Sequence, residues 1–167
     1  MNSMTRRFKS QRGAELIEFA LIFPLLLLVL LGIVDFGFLF QRYEVLTNAT
    51  REGARLAALP NYSDDDVKRR VCQFLLTGGV PTTGCGTAAA PAATPTNPAV
   101  TITSPAIVVG GGKPNLTGRR VQLAYNHNFM FIGGIIGLMG GSWNNAKTIT
   151  TFAVMRTEIQ PPATPTP

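Results

Sequence analysis

A glycine and a carboxylate five residues apart, Gly13 and Glu18, stand where a basic stretch (Arg6, Arg7, Lys9, Arg12) gives way to a long apolar block. Residues in that order could take part in two kinds of chemistry. The first is a backbone cut. Glycine has no side chain, so a protease can hold the bond after Gly13 closely, and a bond just outside an apolar block stays at a membrane surface. The second is charge pairing. A carboxylate inside a helix bundle in lipid costs ~2.5–3.5 kcal/mol on insertion scales unless it finds a partner. The amine that a cut would free on Ala14 of a neighbouring subunit is such a partner, and the pair would fix axial stagger. Otherwise Glu18 snorkels to the interface, and on the residues alone that reading is slightly favoured.

The remaining reactive side chains are few. Asp35 lies near the far end of the apolar block, where it reads either as an interfacial acid meeting water or as a packing contact to partner subunits. Arg51, Glu52 and Arg55 read as a solvated helix face with salt bridges along it. Cys72 and Cys85, the two cysteines, fall on the outward side of the membrane, where a bridge between them would be worth about 3 kcal/mol in the chain-entropy model. With His127 as the single histidine, they imply no metal, and no cofactor is called for. Catalysis would need a nucleophile with a base, paired carboxylates or a phosphate cradle. Acids cluster only at Asp64 to Asp66, and Gly110-Gly111-Gly112-Lys113 runs into Pro114 rather than Ser or Thr, so the chain is not read as an enzyme with a small-molecule substrate. The triplets at Asn48, Asn61 and Asn115 fit glycosylation sequons, which arise often by chance.

The element that must position Gly13 and Glu18 is a membrane-spanning helix. From Phe19 to Val34 the residues that are not large and apolar are Ala20, Pro24 and Gly32, and apolar character resumes from Phe36 to Phe40. At ~1.5 Å per residue this block extends roughly 33 Å, about the hydrocarbon thickness of a bilayer. A cleavable secretory signal would have a shorter apolar region followed by small residues. Here Asp35, Phe36, Phe38, Gln41 and Arg42 follow, so the helix is expected to be retained, with a mild kink at Pro24. The basic leader keeps the amino terminus cytoplasmic and places the bulk of the chain outside. The net charge is +6, but without the four leader cations the excess falls to about +2, with no basic stripe, which excludes nucleic acid as a partner.

Beyond the span, Gln41 to Leu59 repeats Val45, Leu46, Ala49, Leu56 and Ala57 at helical spacing until Pro60 ends it. A nearly continuous helix from about Leu16 to Leu59 is therefore expected, half in lipid and half laid against a small domain. Ser63, with Asp64 to Asp66 behind it, opens a second helix that ends near Gly78-Gly79. Residues 82–98 read as a surface loop that need not adopt one structure. Strand signals follow at Val100–Thr103, at Ala106–Val109 before a glycine turn, at Arg119–Asn126 with Val121, Leu123 and Tyr125 alternating inward, and at Lys147–Arg156. Between the last two lies Phe129 to Gly141, too apolar for an ordinary loop and too short to span a bilayer, read as core or as a contact patch for partners. The tail 161–167 is proline-rich. The fold class is α+β: leader 1–13, long helix 14–59 with the span at about 16–40, and an outer domain 60–160 with an antiparallel sheet.

The run Gly13-Ala14-Glu15-Leu16-Ile17-Glu18-Phe19, followed by Gly32-Ile33-Val34-Asp35-Phe36-Gly37 and by Leu46 to Arg55, strongly resembles the TadE-like proteins. Val121 to Tyr125 and Phe152 to Glu158 look like that family's carboxy-terminal strands, whereas residues 60–118 show no likeness. The resemblance implies a pilin-like minor pseudopilin of the tight-adherence (Flp) branch of type IV pili, in the inner membrane and without catalytic residues of its own. Its partners would be a prepilin peptidase, other pilins and pseudopilins, the assembly machinery and the lipid bilayer. Gly13 would be the last leader residue, Ala14 the new amino terminus, and Glu18-Phe19 the acid-aromatic pair that sets registry. Arg51, Glu52 and Arg55 become candidate contacts to other pilus components. Where family members often carry a second alanine, this chain has Thr50, a change expected to put nothing functional in doubt. The rival reading is an uncleaved single-pass anchor whose outer domain binds a ligand or another envelope protein.

Overall fold

A computed structural model of the chain describes residues 5–108, 116–138, 140–141 and 146–157. The first helix, α1, runs from Thr5 to Ala58 without interruption at Pro24. It starts well before Leu16, so the leader from Thr5 onward is helical too and Gly13 lies inside the helix. Arg, Lys and Gln are good helix formers and the leader holds no proline, so nothing in it opposes that extension. Pro60 stops the other end as expected. The chain forms two compact units, Met1–Phe38 with Phe129–Asn145, and Leu39–Asn128 with Ala146–Pro167. The polar half of α1 supplies core residues to the second of these, the outer unit of the expected topology.

In that outer unit, α2 (Asp64–Thr77) is preceded by Ser63, whose hydroxyl accepts from the Asp66 N–H while the Asp66 carboxylate accepts from the Ser63 N–H. Both bonds satisfy donors that a helix start otherwise leaves unpaired. The strands are β1 (Ala99–Thr103), β2 (Ala106–Ile107), β3 (Leu116–Asn128) and β4 (Ala146–Arg156). All pairings are antiparallel. β3 is the central strand, with β1 and β2 on one side and β4 on the other along its length from Gly118 to Asn128. β2 is shorter than expected, and Val109 with the glycine turn after it lies outside the described residues, as do Glu158 and the proline-rich tail.

Alternation along β3 puts Val121, Leu123, Tyr125 and His127 on the buried face. Val121, Leu123 and Tyr125 meet Leu46, Ala49, Ala54 and Ala57 of α1 and Val67, Val71 and Leu75 of α2 in one core. Gly53 lets these elements close: a Cβ there would stand 2.6 Å from Val71 Cγ2 and 3.4 Å from Val121 Cγ1. Cys72 of α2 is disulfide-bonded to Cys85, with Cα atoms 5.2 Å apart. That bond holds the 82–98 segment down. The segment adopts a defined path, with bridges Thr83 to Asn97 and Gly86 to Pro91, and Gly86 has φ 73° because a side chain would strike the Ala90 carbonyl.

In the other unit the apolar part of α1 is joined by α3 (Ile132–Leu138). The connection 129–141 therefore contributes nothing to the core of the sheet. It folds with the residues of the span.

Candidate processing and assembly site

Gly13 is exposed, and the space where its side chain would be is open. Being helical, its peptide bond must unwind locally before any protease can hold it extended. A glycine in a helix interior lowers that cost by about 1 kcal/mol relative to alanine. Ala14, Glu18 and Phe19 are exposed as well, Phe19 at 61%. The Phe19 ring packs on Phe23 one turn on, with centroids 5.3 Å apart. Glu18 thus projects from a helix surface whose neighbours Ile17, Phe19, Leu21 and Ile22 are all open to whatever surrounds them. Within 13–58 the most apolar 18-residue window has mean hydropathy 2.8 and none of it is buried. Among the described residues this is the one helix long and apolar enough to cross a membrane.

Asp35 sits 17 residues from Glu18, roughly 26 Å along the helix. It belongs to a different site. Asp35 is 1% exposed, and its carboxylate accepts from the N–H groups of Met130 (3.0 Å), Phe131 (2.9 Å) and Ile132 (2.8 Å). These donors lead into α3, where helix geometry leaves N–H groups without intrahelical partners. Beside them Phe36 meets Phe129 edge-on, with centroids 6.0 Å apart. These contacts are internal to the chain.

Further along α1, Glu52 accepts from Arg55 at 3.0 Å and from Arg70 of α2 at 3.1 and 3.2 Å. The Arg55 guanidinium, and Arg70 beyond it, holds Glu52 below the usual carboxylate range against a smaller opposing effect of burial. Glu52 therefore clips two helices of one unit together, which leaves the exposed Arg51 and Arg55 as the outward-facing members of the triplet. The structure brings Glu52 and Arg55 together and leaves Gly13, Glu18 and Asp35 apart.

Three functional details of this helix escape a reading of residue types. Thr50 is fully buried: its hydroxyl donates to the Leu46 carbonyl at 2.6 Å and so receives the hydrogen bond of Thr151 on β4 at 2.7 Å. It pins α1 to the sheet, a role that alanine could not fill. Arg42 donates to His127 Nδ1 at 2.6 Å, which requires an unprotonated Nδ1 and makes His127 a neutral core residue. Gly53 is the third, and a lone glycine in a strong helical repeat is the signal that could have exposed it.

A family model described as "TadE-like protein" matches residues 13–55. The match begins on Gly13 and covers α1 almost to its end, including Glu18, Asp35 and Glu52, but not the sheet. No curated protein and no solved structure matches the chain. The match and the apolar helix together suggest a membrane-anchored, Tad pilus-associated protein.

Proposed function

We propose that this chain is a minor pseudopilin of the tight-adherence pilus, cut after Gly13 by a prepilin peptidase and then drawn from the inner membrane into pilus assembly. One observation carries the reading. The part of α1 that matches the family model begins at an exposed glycine, and from Gly13 to Leu27 every residue is exposed, with Glu18 set among uncovered apolar side chains. A helix bare on every side needs a low-dielectric environment, and lipid supplies it first. Helices of other pilins supply it afterwards.

Glu18 gives the transfer its order. In lipid the carboxylate is costly, by ~2.5–3.5 kcal/mol at mid-depth and less near the surface. Cutting after Gly13 removes the basic leader and creates an α-amine that carries positive charge at neutral pH, with an ordinary pKa of about 7.7–8.0. That amine on one subunit and Glu18 on the next can then neutralise each other, which fixes the axial offset between helices. Phe19 and Phe23, stacked beside the acid, would shield the pair from water. The outer unit stays outside the helical bundle and presents Arg51 and Arg55 to other pilus components.

The test is a pair of variants in cells with a working tight-adherence system. Glu18→Ala should insert and be cut, yet fail to associate with other pilins on crosslinking. Gly13→Leu should stay uncut and abolish pilus formation. An uncleaved anchor predicts normal pili from both, and that result would refute the proposal.

A further inference from the structure

The segment between β3 and β4 has no counterpart in the reading above. It is the run Phe129-Met130-Phe131-Ile132-Gly133-Gly134-Ile135-Ile136-Gly137-Leu138, without a charged side chain, and it carries α3. Its neighbours are residues of the span. Ile132, Ile135 and Ile136 line a groove of about 340 Å³ with Leu28, Val29, Gly32, Ile33 and Phe36, at positions that recur along one face of α1. Leu28 is near the middle of the apolar block and Phe36 near its outward end, so α3 lies beside the half of the span that approaches the outward surface.

Both ends of α3 carry hydrogen bonds that lipid could not supply. Nonpolar solvent offers nothing to an open N–H or C=O, so backbone at membrane depth must be satisfied from within the protein. At the start of α3 the N–H groups of Met130, Phe131 and Ile132 go to the Asp35 carboxylate. At its end Gly140 N–H donates to the Gly137 carbonyl at 3.1 Å and Gly141 N–H to that of Ile136 at 2.9 Å. The carboxylate gains as much as the helix does. An acid at this depth is tolerated when it is surrounded by donors, and Asp35 has them without any partner chain.

We infer that residues 129–141 form a second membrane-embedded element: α3 dips into the outward leaflet against α1, its start held by Asp35, and its other face rests on lipid acyl chains. The occupant is lipid because α3 packs on a helix whose large apolar side chains, from Leu16 to Phe40, are mostly exposed and need the same nonpolar surroundings. Met130, 65% exposed, and Gly134 and Gly137 form the remaining face, which offers acyl chains no polar side chain. The chain would thus hold the membrane at two places in sequence, and extraction toward a filament would have to move both.

The inference rests on α1 spanning the bilayer, and the experiment tests that step separately. Single cysteines are placed in the full-length protein at Gly137, at Val29 in the span and at Val108 in the outer unit, then labelled with an environment-sensitive NBD fluorophore without reductant, so that Cys72 and Cys85 stay bonded. The proteins are reconstituted into phosphatidylcholine–phosphatidylglycerol vesicles containing doxyl-labelled lipids. Quenching at Gly137 should match that at Val29 in order of magnitude and exceed that at Val108 at least about five-fold, as burial in the hydrocarbon layer implies. Asp35→Ala should bring Gly137 down to the Val108 level and leave Val29 unchanged. Strong quenching at Val29 with none at Gly137 overturns the inference alone. Loss of quenching at both overturns the span and the inference with it. A blue-shifted but unquenched Gly137 means protein covers the face, which also overturns it, and so does an Asp35→Ala variant that leaves Gly137 quenched.

Discussion

Gly53→Ala separates two opposed effects of similar size. In an exposed helix the change would stabilise by about 1 kcal/mol, since alanine is the best helix former and glycine among the worst. Here the new methyl falls 2.6 Å from Val71 Cγ2, 3.4 Å from Val121 Cγ1 and 3.7 Å from Val67 Cγ1. Carbon atoms pack best at ~3.5–4.0 Å, so the nearest contact is short by about 1 Å. Val67, Val71 and Val121 are all 0% exposed and have no open side to retreat into. Overpacking of this kind costs ~1–3 kcal/mol. The net expectation is a loss of about 0–2 kcal/mol for Gly53→Ala and a larger loss for Gly53→Leu, which adds bulk without further helix propensity. Amide hydrogen exchange of the detergent-solubilised full chain reads this locally, in peptides covering Val121 to Tyr125, whose exchange requires opening of the outer unit. Exchange should quicken from wild type to Ala to Leu, about ten-fold for each 1.4 kcal/mol. Adding Val71→Ala, which makes room, should slow the Gly53→Ala protein relative to Val71→Ala alone. If Gly53→Ala by itself slows exchange, α1 is not pressed against α2 and β3, and the packing of the outer unit is wrong.

Thr50→Ala removes the acceptor of the buried Thr151 hydroxyl and should destabilise the outer unit by about 1–3 kcal/mol, whereas the double change with Thr151→Val should recover part of that loss, both read by the same exchange measurement. Because Glu52 is held below its ordinary range in the folded state, its stabilisation is present above the unfolded carboxylate pKa of about 4.3 and fades as pH falls through the folded value. Glu52→Gln should therefore lose stability relative to wild type at pH 7, by about 0.2–1 kcal/mol as befits a partly exposed cluster, and the difference should close in acid melts. Cys72→Ser should cost about 3 kcal/mol and speed proteolysis within 82–98, seen by mass spectrometry of the fragments.

Much of this was legible because single elements carried several agreeing signals. The helix start at Ser63 had its cap and its three acids, and the inward residues of β3 alternated without a break. The internal partners of Asp35 were not legible because they are backbone N–H groups 95 to 97 positions away, and backbone has no sequence signature. For the same reason the segment 129–141 could be seen to be apolar but not where it would fold. Thr50 looked interchangeable with alanine since helix propensity was the visible quantity, whereas a hydroxyl on β4 decides its role. The early start of α1 went unread because a basic leader suggests processing rather than structure, although its residues favour a helix.

The account turns on release of the leader, and intact-mass measurement of the protein purified from membranes with an active prepilin peptidase tests that most directly. The predicted species begins at Ala14 and is lighter than the 17.9 kDa chain by residues 1–13. A protein that still begins at Met1 in pilus-forming cells would contradict it.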